Sequence, residues 1–409
     1  MPLKQKECVS ARQCKQCFNS FFVTSFMKMN HKIHPAACLT VFLTAVSLIL
    51  HLMARHMSGF ADAYMEIMNP VMTGTEGRLA GFLPFSLGEA LIALLLLLIL
   101  IRAVRLVRAG LAFLRNRKNK IENRRQSSDK DAAAGRERKG PGRLFRRICL
   151  LLSVILLLFV LNEDIYFSAA SFAETYELES MEYSDQDLIS VCQYLGNEIN
   201  ACADRVSRDD RGIMVLAKDP ADKVRSSLRQ LGEEYPRLRG FYPRPKRVLC
   251  SFVLSYAGFT GIYSVITCEA NYNRDMPAYN IPFTIGHELA HLKGVMSEKE
   301  ANFIGYLSCI RSEDPDLRYS GAVLGFIYCA NELKKRDPEA WKAVHEALDE
   351  DAMRDIIWNS AFWDAYEGSV SETADRLNDT YLKTEGLEAG TASYDQVVDM
   401  IVTYTKRRE

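Results

Sequence analysis

Two histidines and a glutamate in the C-terminal half of the chain have the types and spacing of a metal site. His287 and His291 are four residues apart, so one face of a helix would present both imidazoles to a single point. Such a pair suits Zn2+, which binds imidazole nitrogens at about 2.0–2.1 Å in a tetrahedral site. Glu288 follows the first histidine. We predict a hydrolytic site in which Glu288 is the general base that activates a zinc-bound water.

A catalytic zinc ion needs a third protein ligand and an open fourth position. Glu298 and Glu300 are the nearest downstream carboxylates. Ser297 and Glu300 have the spacing of a capping box, in which Glu300 would bond to the Ser297 amide. This would give Glu300 a structural role, so we favour Glu298 as the ligand and keep Glu300 as the alternative. Asn302 shares the helical face of Glu298 and is expected to steady a histidine ligand by a hydrogen bond.

The motif is expected to lie on a helix with clear ends. Asn280 is a plausible cap, and Pro282 suits the first turn of a helix. Gly294 is a natural stop, and a tight turn there would fold a second helix, carrying Glu298, back onto the first.

The surrounding pattern predicts an α+β fold that is mainly helical. Segments rich in β-branched and aromatic residues, bounded by glycines, predict strands at 247–255 and 261–268. The second strand could be an edge strand that binds extended peptide, and an ordinary core strand would have the same pattern. Helical spacing of apolar residues predicts helices at 185–206, 221–231, 302–310, 321–335, 338–348 and 396–404.

The longer sequence around the motif resembles known families. HExxH followed by a helix with Glu-x-x-x-Asn is similar to the gluzincin metallopeptidases. The strings GIYSVITCEANYNRDMPAYNIP, FTIGHELAHLKGVMSEKEANFIGYLSC and NDTYLKTEGLEAGTASYDQVVDMI resemble the DUF3810 family of bacterial membrane proteins. The resemblance implies a zincin-like fold with His287, His291 and a downstream glutamate on the metal and Glu288 as base. The gap from His291 to Glu298 is shorter than in other gluzincins, which leaves the third ligand open.

Three apolar stretches ahead of this domain have the length and composition of membrane spans. Glu89 and His51 are polar residues within them that could be functional, although a position near a span end is the simpler explanation. The stretches cover about residues 36–54, 85–107 and 148–167.

The basic residues are unevenly distributed. The 51 Lys and Arg residues balance 51 Asp and Glu residues, so the net charge gives no reason to expect nucleic acid as a partner. Lys and Arg concentrate in the leader, 1–35, and in the loop 108–147. The positive-inside bias places both in the cytoplasm. With the three-helix membrane region at 36–161, residues 162–409 then form an extracytoplasmic zincin-like domain.

The cysteines of that domain allow two interpretations. An even set could pair in an oxidising exterior. Buried free thiols explain the same residues, since cysteine packs as a small apolar side chain, and we favour this interpretation. The residues are Cys192, Cys202, Cys250, Cys268, Cys309 and Cys329.

Catalysis would also gain from a hydrogen-bond donor to the oxyanion. Four tyrosines could supply it, although packing explains each of them equally well, and the sequence does not distinguish them. They are Tyr256, Tyr263, Tyr306 and Tyr319.

The function predicted from the sequence is that of a membrane-anchored zinc metalloendopeptidase. It would hydrolyse peptide bonds of a peptide or protein substrate outside the cell membrane, with the lipid bilayer as its other partner. A cell-wall amidase would use the same chemistry. The main alternative is a membrane sensor or assembly protein with a structural metal site, in which Glu288 would be dispensable. An intramembrane protease is disfavoured by Lys293 and Lys299 beside the motif.

Overall fold

The computed structural model describes residues 34–123, 141–178, 182–385, 387 and 396–408. Most of the predicted basic leader, 1–35, and the centre of the predicted basic loop, 108–147, lie outside the described residues.

The chain divides into two compact units. The first comprises Met1–Ser47 and Gly135–Leu157, and the second comprises Leu48–Ala134 and Leu158–Glu409. The second unit contains the predicted metal site and every residue that lines it.

Three long apolar helices occur in the N-terminal half: α1 (Pro35–His56), α3 (Leu87–Asn123) and α4 (Pro141–Asn162), which a 3-10 turn (Asp164–Ser168) extends. The stretches Pro35–His56, Leu87–Asn116 and Gly142–Ser168 are long and apolar enough to cross a bilayer, which confirms the three predicted apolar spans. Every side chain from Leu94 to Leu100 is more than half exposed. So much exposed apolar surface indicates a membrane protein.

A further helix that the sequence analysis did not anticipate, α2 (Phe60–Gly81), lies between the first two apolar helices. The buried Asn69 amide donates a hydrogen bond of 2.8 Å to the Leu292 carbonyl, at the end of the helix that carries the metal motif. The segment is therefore a structural part of the site-bearing unit and not a simple connection between spans.

The rest of the chain is mainly helical, with a small sheet. The helices after α4 are α5 (Phe172–Thr175), α6 (Asp185–Ala203), α7 (Ala221–Glu234), α8 (Ser251–Tyr256), α9 (Asn280–Leu292), α10 (Glu298–Ile310), α11 (Pro315–Arg336), α12 (Pro338–Glu346), α13 (Glu350–Asp364), α14 (Ser369–Thr384) and α15 (Val397–Lys406).

The hydrophobic core lies where α9, α10 and α11 pack together with α6. Ile285, Leu289, Phe303, Leu307 and Phe326 are fully buried there. Burying a side chain of this size contributes about 1.5–3 kcal/mol, so this core fixes the positions of the two helices that carry the predicted ligands.

The predicted helices are confirmed, with shifted ends. The helix predicted to begin at 302 begins at Glu298, and the one predicted to begin at 321 begins at Pro315. The earlier start of α11 follows from Asp314, whose carboxylate caps the helix by accepting a hydrogen bond from the Leu317 amide. Helices α13 and α14 were not predicted.

The sheet has three short strands in the order β1-β3-β2: β1 (Lys246–Arg247), β2 (Gly261–Ser264) and β3 (Glu269–Tyr272). β1 is parallel and β2 antiparallel to β3. β3 is buried along its whole length, whereas β2 lies at the edge of the sheet. The predicted strand 261–268 therefore covers β2 and the turn that follows it.

The strand predicted at 247–255 is wrong, because the chain turns into helix α8 at Ser251. The Glu89 carboxylate accepts hydrogen bonds from the Leu249 and Cys250 amides, at 2.8 and 2.7 Å. A carboxylate at this place satisfies amides that precede the first turn and favours the helix. Glu89 is thus a cap, and its position near the start of α3 serves this contact.

A second polar residue of the apolar stretches also has a structural partner. His51 Nδ1 lies 3.0 Å from the carboxylate of Asp164, which is buried at the end of the third apolar stretch.

The six cysteines considered above are free thiols in the structure. All of them are buried except Cys250. This agrees with the interpretation of these residues as small apolar side chains.

Helices α9 and α10 cross at two glycines. A β-carbon added to Gly286 would lie 2.3 Å from Ser308 Oγ and 3.0 Å from Gly305 Cα. One added to Gly305 would lie 3.0 Å from the Phe283 carbonyl oxygen. The two backbones can approach this closely only without side chains at the crossing.

We predict that Gly286→Ala destabilises the protein by about 1–3 kcal/mol, because the added methyl group overpacks the helix crossing. Thermal unfolding of the full-length protein in nanodiscs measures the effect as a lower Tm. Gly74→Ala is the matched control, since Gly74 is also helical but has nothing within 4 Å of an added β-carbon. The control should leave Tm unchanged or raise it. Equal Tm values for the two variants would contradict the close crossing.

Candidate metal centre

Helix α9 carries His287, Glu288 and His291. Asn280 is not its cap, as the sequence suggested, but its first residue. The cap comes instead from Ser320 of α11, whose hydroxyl accepts a hydrogen bond from the Phe283 amide at 3.2 Å. This partner is distant in sequence, which is why the local pattern did not reveal it.

The helix stops as predicted at Gly294, which has a φ of +78°. A residue with a side chain is strained in this left-handed conformation. The Gly294 amide donates to the His291 carbonyl at 2.8 Å, and the Val295 amide donates to the Ala290 carbonyl at 3.1 Å. The turn reverses the chain and brings α10 beside α9.

Three side-chain atoms converge between these helices. His287 Nε2 lies 3.0 Å from His291 Nε2, and Glu298 Oε2 lies 3.2 Å from the first nitrogen and 3.7 Å from the second. The three side chains are only 11–12% exposed. Among the described residues this is the group of His, Cys, Asp and Glu side chains that could hold a metal ion.

The hydrogen bonds on the far sides of the imidazoles orient both rings. His287 Nδ1 is 2.8 Å from Asn302 Oδ1, and His291 Nδ1 is 2.8 Å from the Val295 carbonyl oxygen. Both partners are acceptors, so both Nδ1 atoms carry the proton. Nε2 is then the atom of each imidazole that can bind a metal, and metal-ligating histidines commonly donate their other ring N–H in this way.

The spacing of the three atoms fits a small tetrahedral ion. Ligands with bonds of about 2.0–2.1 Å to such an ion lie about 3.3 Å from one another, and the observed separations are 3.0, 3.2 and 3.7 Å. Glu298 Oε2 is buried without a hydrogen-bond partner. Two imidazole lone pairs and an unpaired carboxylate oxygen are costly in a buried place unless a positive charge lies between them.

The pKa values of the cluster also indicate that it attracts a positive charge. Burial raises the pKa of Glu298, but His291 and His287 lower it more, so it falls well below its usual range. Burial lowers the pKa of His291, but the Glu298 carboxylate outweighs this effect and brings it to about 9. The negative carboxylate thus attracts positive charge to the imidazoles, either a proton or a metal ion.

Glu288 lies beside the cluster and is not one of the three converging side chains. Burial raises its pKa to about 7, against the opposing effect of the two histidines. A backbone hydrogen bond from Tyr263 of β2 holds it. Its carboxylate would be 2.4 Å from a β-carbon added to Gly261, so only glycine allows this approach. The sequence shows this glycine at the start of the predicted strand, but nothing near it in the sequence indicates that it makes room for Glu288.

Glu300, the alternative ligand, points elsewhere. Its carboxylate accepts hydrogen bonds from the Phe172 and Ala173 amides at 3.0 and 2.8 Å, at the start of α5. The predicted capping box is therefore wrong, since Ser297 makes no side-chain cap contact. The buried N-terminus of α5 offers unpaired amides, and a carboxylate is a strong acceptor for them. The structure thus brings Glu298, and not Glu300, to the imidazoles.

The cluster lies in a cleft of about 720 Å³. Of the four tyrosines considered as oxyanion donors, Tyr263 lines it, but its hydroxyl points to the Asn162 carbonyl at 3.4 Å. Tyr319 donates to the Asp355 carboxylate. Tyr381 of α14, which sequence reasoning missed, lines the cleft and donates to Glu163.

The other two tyrosines also have packing partners. The Tyr256 ring packs edge-on against Tyr366 at 5.0 Å, and Tyr306 is buried in the core next to Phe303.

Fold and site together define a mainly helical membrane protein with a buried His-His-Glu cluster that opens into a cleft. The chain belongs to the DUF3810 family, described as proteins of unknown function, whose family model matches residues 64–402. No curated protein and no solved structure matches the chain significantly.

We predict that Glu298→Gln affects metal binding and that Glu300→Gln affects stability. Glu298→Gln should weaken Zn2+ binding by more than the roughly 10–100-fold that loss of a supporting partner costs. Glu300→Gln should keep Zn2+ but lower stability by about 1–3 kcal/mol, since its amide group would face one of the two α5 amides as a second donor. Metal titration and thermal unfolding of both variants measure this. Loss of Zn2+ in Glu300→Gln alone would show the assignment to be reversed.

We predict that Asn302→Ala weakens Zn2+ binding by about 10–100-fold, because His287 loses the acceptor that fixes its proton on Nδ1. Competition with a chelator of known affinity measures the change. Asn302→Asp should restore most of the affinity, since it keeps an acceptor oxygen at this place. If the alanine variant binds as tightly as the wild type, Asn302 does not position the ligand.

Proposed function

We propose that the protein is a membrane-anchored zinc metallopeptidase. The observation that carries the proposal is the convergence of three buried side chains, each with one atom that can bind a metal ion, beside the buried Glu288 carboxylate and in a cleft. His287, His291 and Glu298 would hold the ion. Such a ligand set suits zinc, because two imidazoles and one carboxylate leave a tetrahedral ion one free position.

When bound, zinc would supply Lewis-acid chemistry, polarising the scissile carbonyl and making water more acidic. The residues of the chain would do the rest. Glu288 would take a proton from the attacking water and later give it to the leaving amine. The burial that brings its pKa to about 7 suits a group that must accept and release a proton near neutral pH.

The open cleft favours catalysis over a structural metal site. Structural zinc sites are closed by four protein ligands, whereas here three side chains converge and the cleft leaves room beside them. A sensor or assembly protein with a structural ion, the main alternative, would need neither the cleft nor a second buried acid, Glu288, beside the ligands. An intramembrane protease is not favoured either, since α9 is not one of the three apolar stretches.

The arrangement around the site supports a zincin-like peptidase domain. The histidine pair lies on one helix, the third ligand follows on the next helix, and an edge strand, β2, lies beside Glu288. This is the arrangement that the resemblance to gluzincins implies. A metalloendopeptidase would bind its substrate in extended form along such a strand.

The charge distribution supports a site outside the cytoplasm. Helix α3 begins at Leu87, next to the site-bearing domain, and runs at its other end into the basic loop. The two ends of a helix that crosses the bilayer lie on opposite sides. If the basic loop is cytoplasmic, as the positive-inside bias favours, the site faces the exterior of the cell membrane, and its substrate is a peptide or protein there.

We predict that Glu288→Gln lowers peptide cleavage by about 100- to 10,000-fold, because the general base is lost. The variant should bind as much Zn2+ as the wild type, since Glu288 is not a ligand. Cleavage of a peptide library by the Zn2+-loaded, full-length protein in nanodiscs, analysed by mass spectrometry, provides the measurement. Full activity in Glu288→Gln would remove the base from the proposal, and a wild type that cleaves nothing would leave the structural-site alternative.

A further inference from the structure

The end of the first apolar stretch, the start of the second and the end of the third all belong to the site-bearing unit. Consecutive spans run in opposite directions, so the end of the first, the start of the second and the end of the third lie on the same side. Arg55, at the end of the first, bonds to Glu385 at 2.8 Å. The start of the second and the end of the third both contact the sheet.

The turn between β2 and β3 lies between these last two ends. The Asn162 amide donates to the Val265 carbonyl at 2.8 Å. On the other side, the Glu269 carboxylate accepts from the Leu87 and Gly88 amides at 3.1 and 3.0 Å. These bonds hold the tip of the hairpin at the level where the apolar helices end.

The other end of β2 lies at the site. Gly261 is close to the Glu288 carboxylate, and the Tyr263 backbone bonds to it. β2 spans four residues, or about 10 Å from first to last at about 3.4 Å per residue. β2 is an edge strand, and no strand among the described residues pairs with its outer side. This short strand therefore leads from the bilayer boundary to the proposed general base.

The cleft itself is partly walled by the third apolar stretch. Phe159, Glu163 and Phe167 of that stretch line it together with His287 and Glu288. A substrate in the cleft must therefore lie against the end of a membrane helix.

Apolar side chains around the hairpin are also exposed. Ile262 is 48% and Ile266 40% exposed, and on the neighbouring helix α8 Phe252 and Val253 are 55% and 52% exposed. Surface of this kind, next to the end of a span, suits the interfacial region of a bilayer better than water.

We propose that the substrate is the extended segment of a membrane-anchored polypeptide directly outside its own span, laid along β2. This inference rests on the proposed peptidase function and names its substrate class. The segment would pair with the free edge of β2 through its main chain, with its span beside the apolar helices and its scissile bond at the cluster. The distance from the bilayer, more than the sequence, would then select the bond that is cut.

A series of anchored substrates tests this. Each has one apolar span followed by an unstructured segment, in which the same cleavable sequence is displaced outward in steps of two residues. Full-length, Zn2+-loaded protein and substrate are reconstituted together, and mass spectrometry maps the cuts. We expect the cuts to stay within a few residues of the span, because about 10 Å of extended chain is about three residues, and the same segment without a span to be cut at least about tenfold more slowly.

Cuts that follow the displaced sequence, or equal rates for the anchored and free segments, would overturn the inference while leaving the peptidase function intact. A binding measurement further separates the inference about the substrate from the peptidase function. In the Glu288→Gln protein, a photo-crosslinking amino acid replaces Ile262 on β2. The control places it at Ile357 of α13, which is 62% exposed and does not line the cleft.

The inference is supported if the anchored segment is captured at 262 but not at 357, and if the segment without its span is not captured. This holds even if no bond is cut, and then only the peptidase function fails. Absence of capture at 262, or equal capture of the free segment, overturns it.

Discussion

The close crossing of α9 and α10 is the constraint on which the site depends. Gly286 and Gly305 let the two backbones touch, and the left-handed turn at Gly294 sets the angle at which the second helix returns. Only then do the two imidazoles of α9 meet the carboxylate of α10. The cluster places three atoms that can each offer a lone pair 3.0–3.7 Å apart in a buried region, which packing alone would not favour. The core around Leu289 and Phe303 supplies the stability that holds this arrangement together.

Buried or half-buried carboxylates repeatedly cap helices that are distant in sequence. Glu300 caps α5, Glu89 caps α8 and Glu269 caps α3, each by accepting two backbone amides. Each carboxylate satisfies donors that would otherwise be unpaired at a helix start. Each also fixes one part of the chain to another that is far away in sequence.

These distant contacts also explain what could be predicted from the sequence. Periodicity is local, so the helix of His287 and His291, its stop at Gly294 and the apolar spans were all visible. Partners distant in sequence were not. The sequence left Glu298 and Glu300 as alternatives because the amides that engage Glu300 lie more than a hundred residues away. The segment after Arg247 resembles a strand by composition and becomes a helix because Glu89, contributed by a different part of the fold, caps it.

Glu269 of the sheet, 1% exposed, caps α3, and Glu89 of α3 caps α8. These two contacts limit where the chain can be truncated. A fragment that starts after the third apolar helix would retain Glu269 as a buried acid without its amides, and would lose both the cap of α8 and the contact of Asn69 with the end of α9. A fragment with all of these contacts therefore includes α2 and the first turns of α3, so the site-bearing domain is completed by the start of an apolar helix.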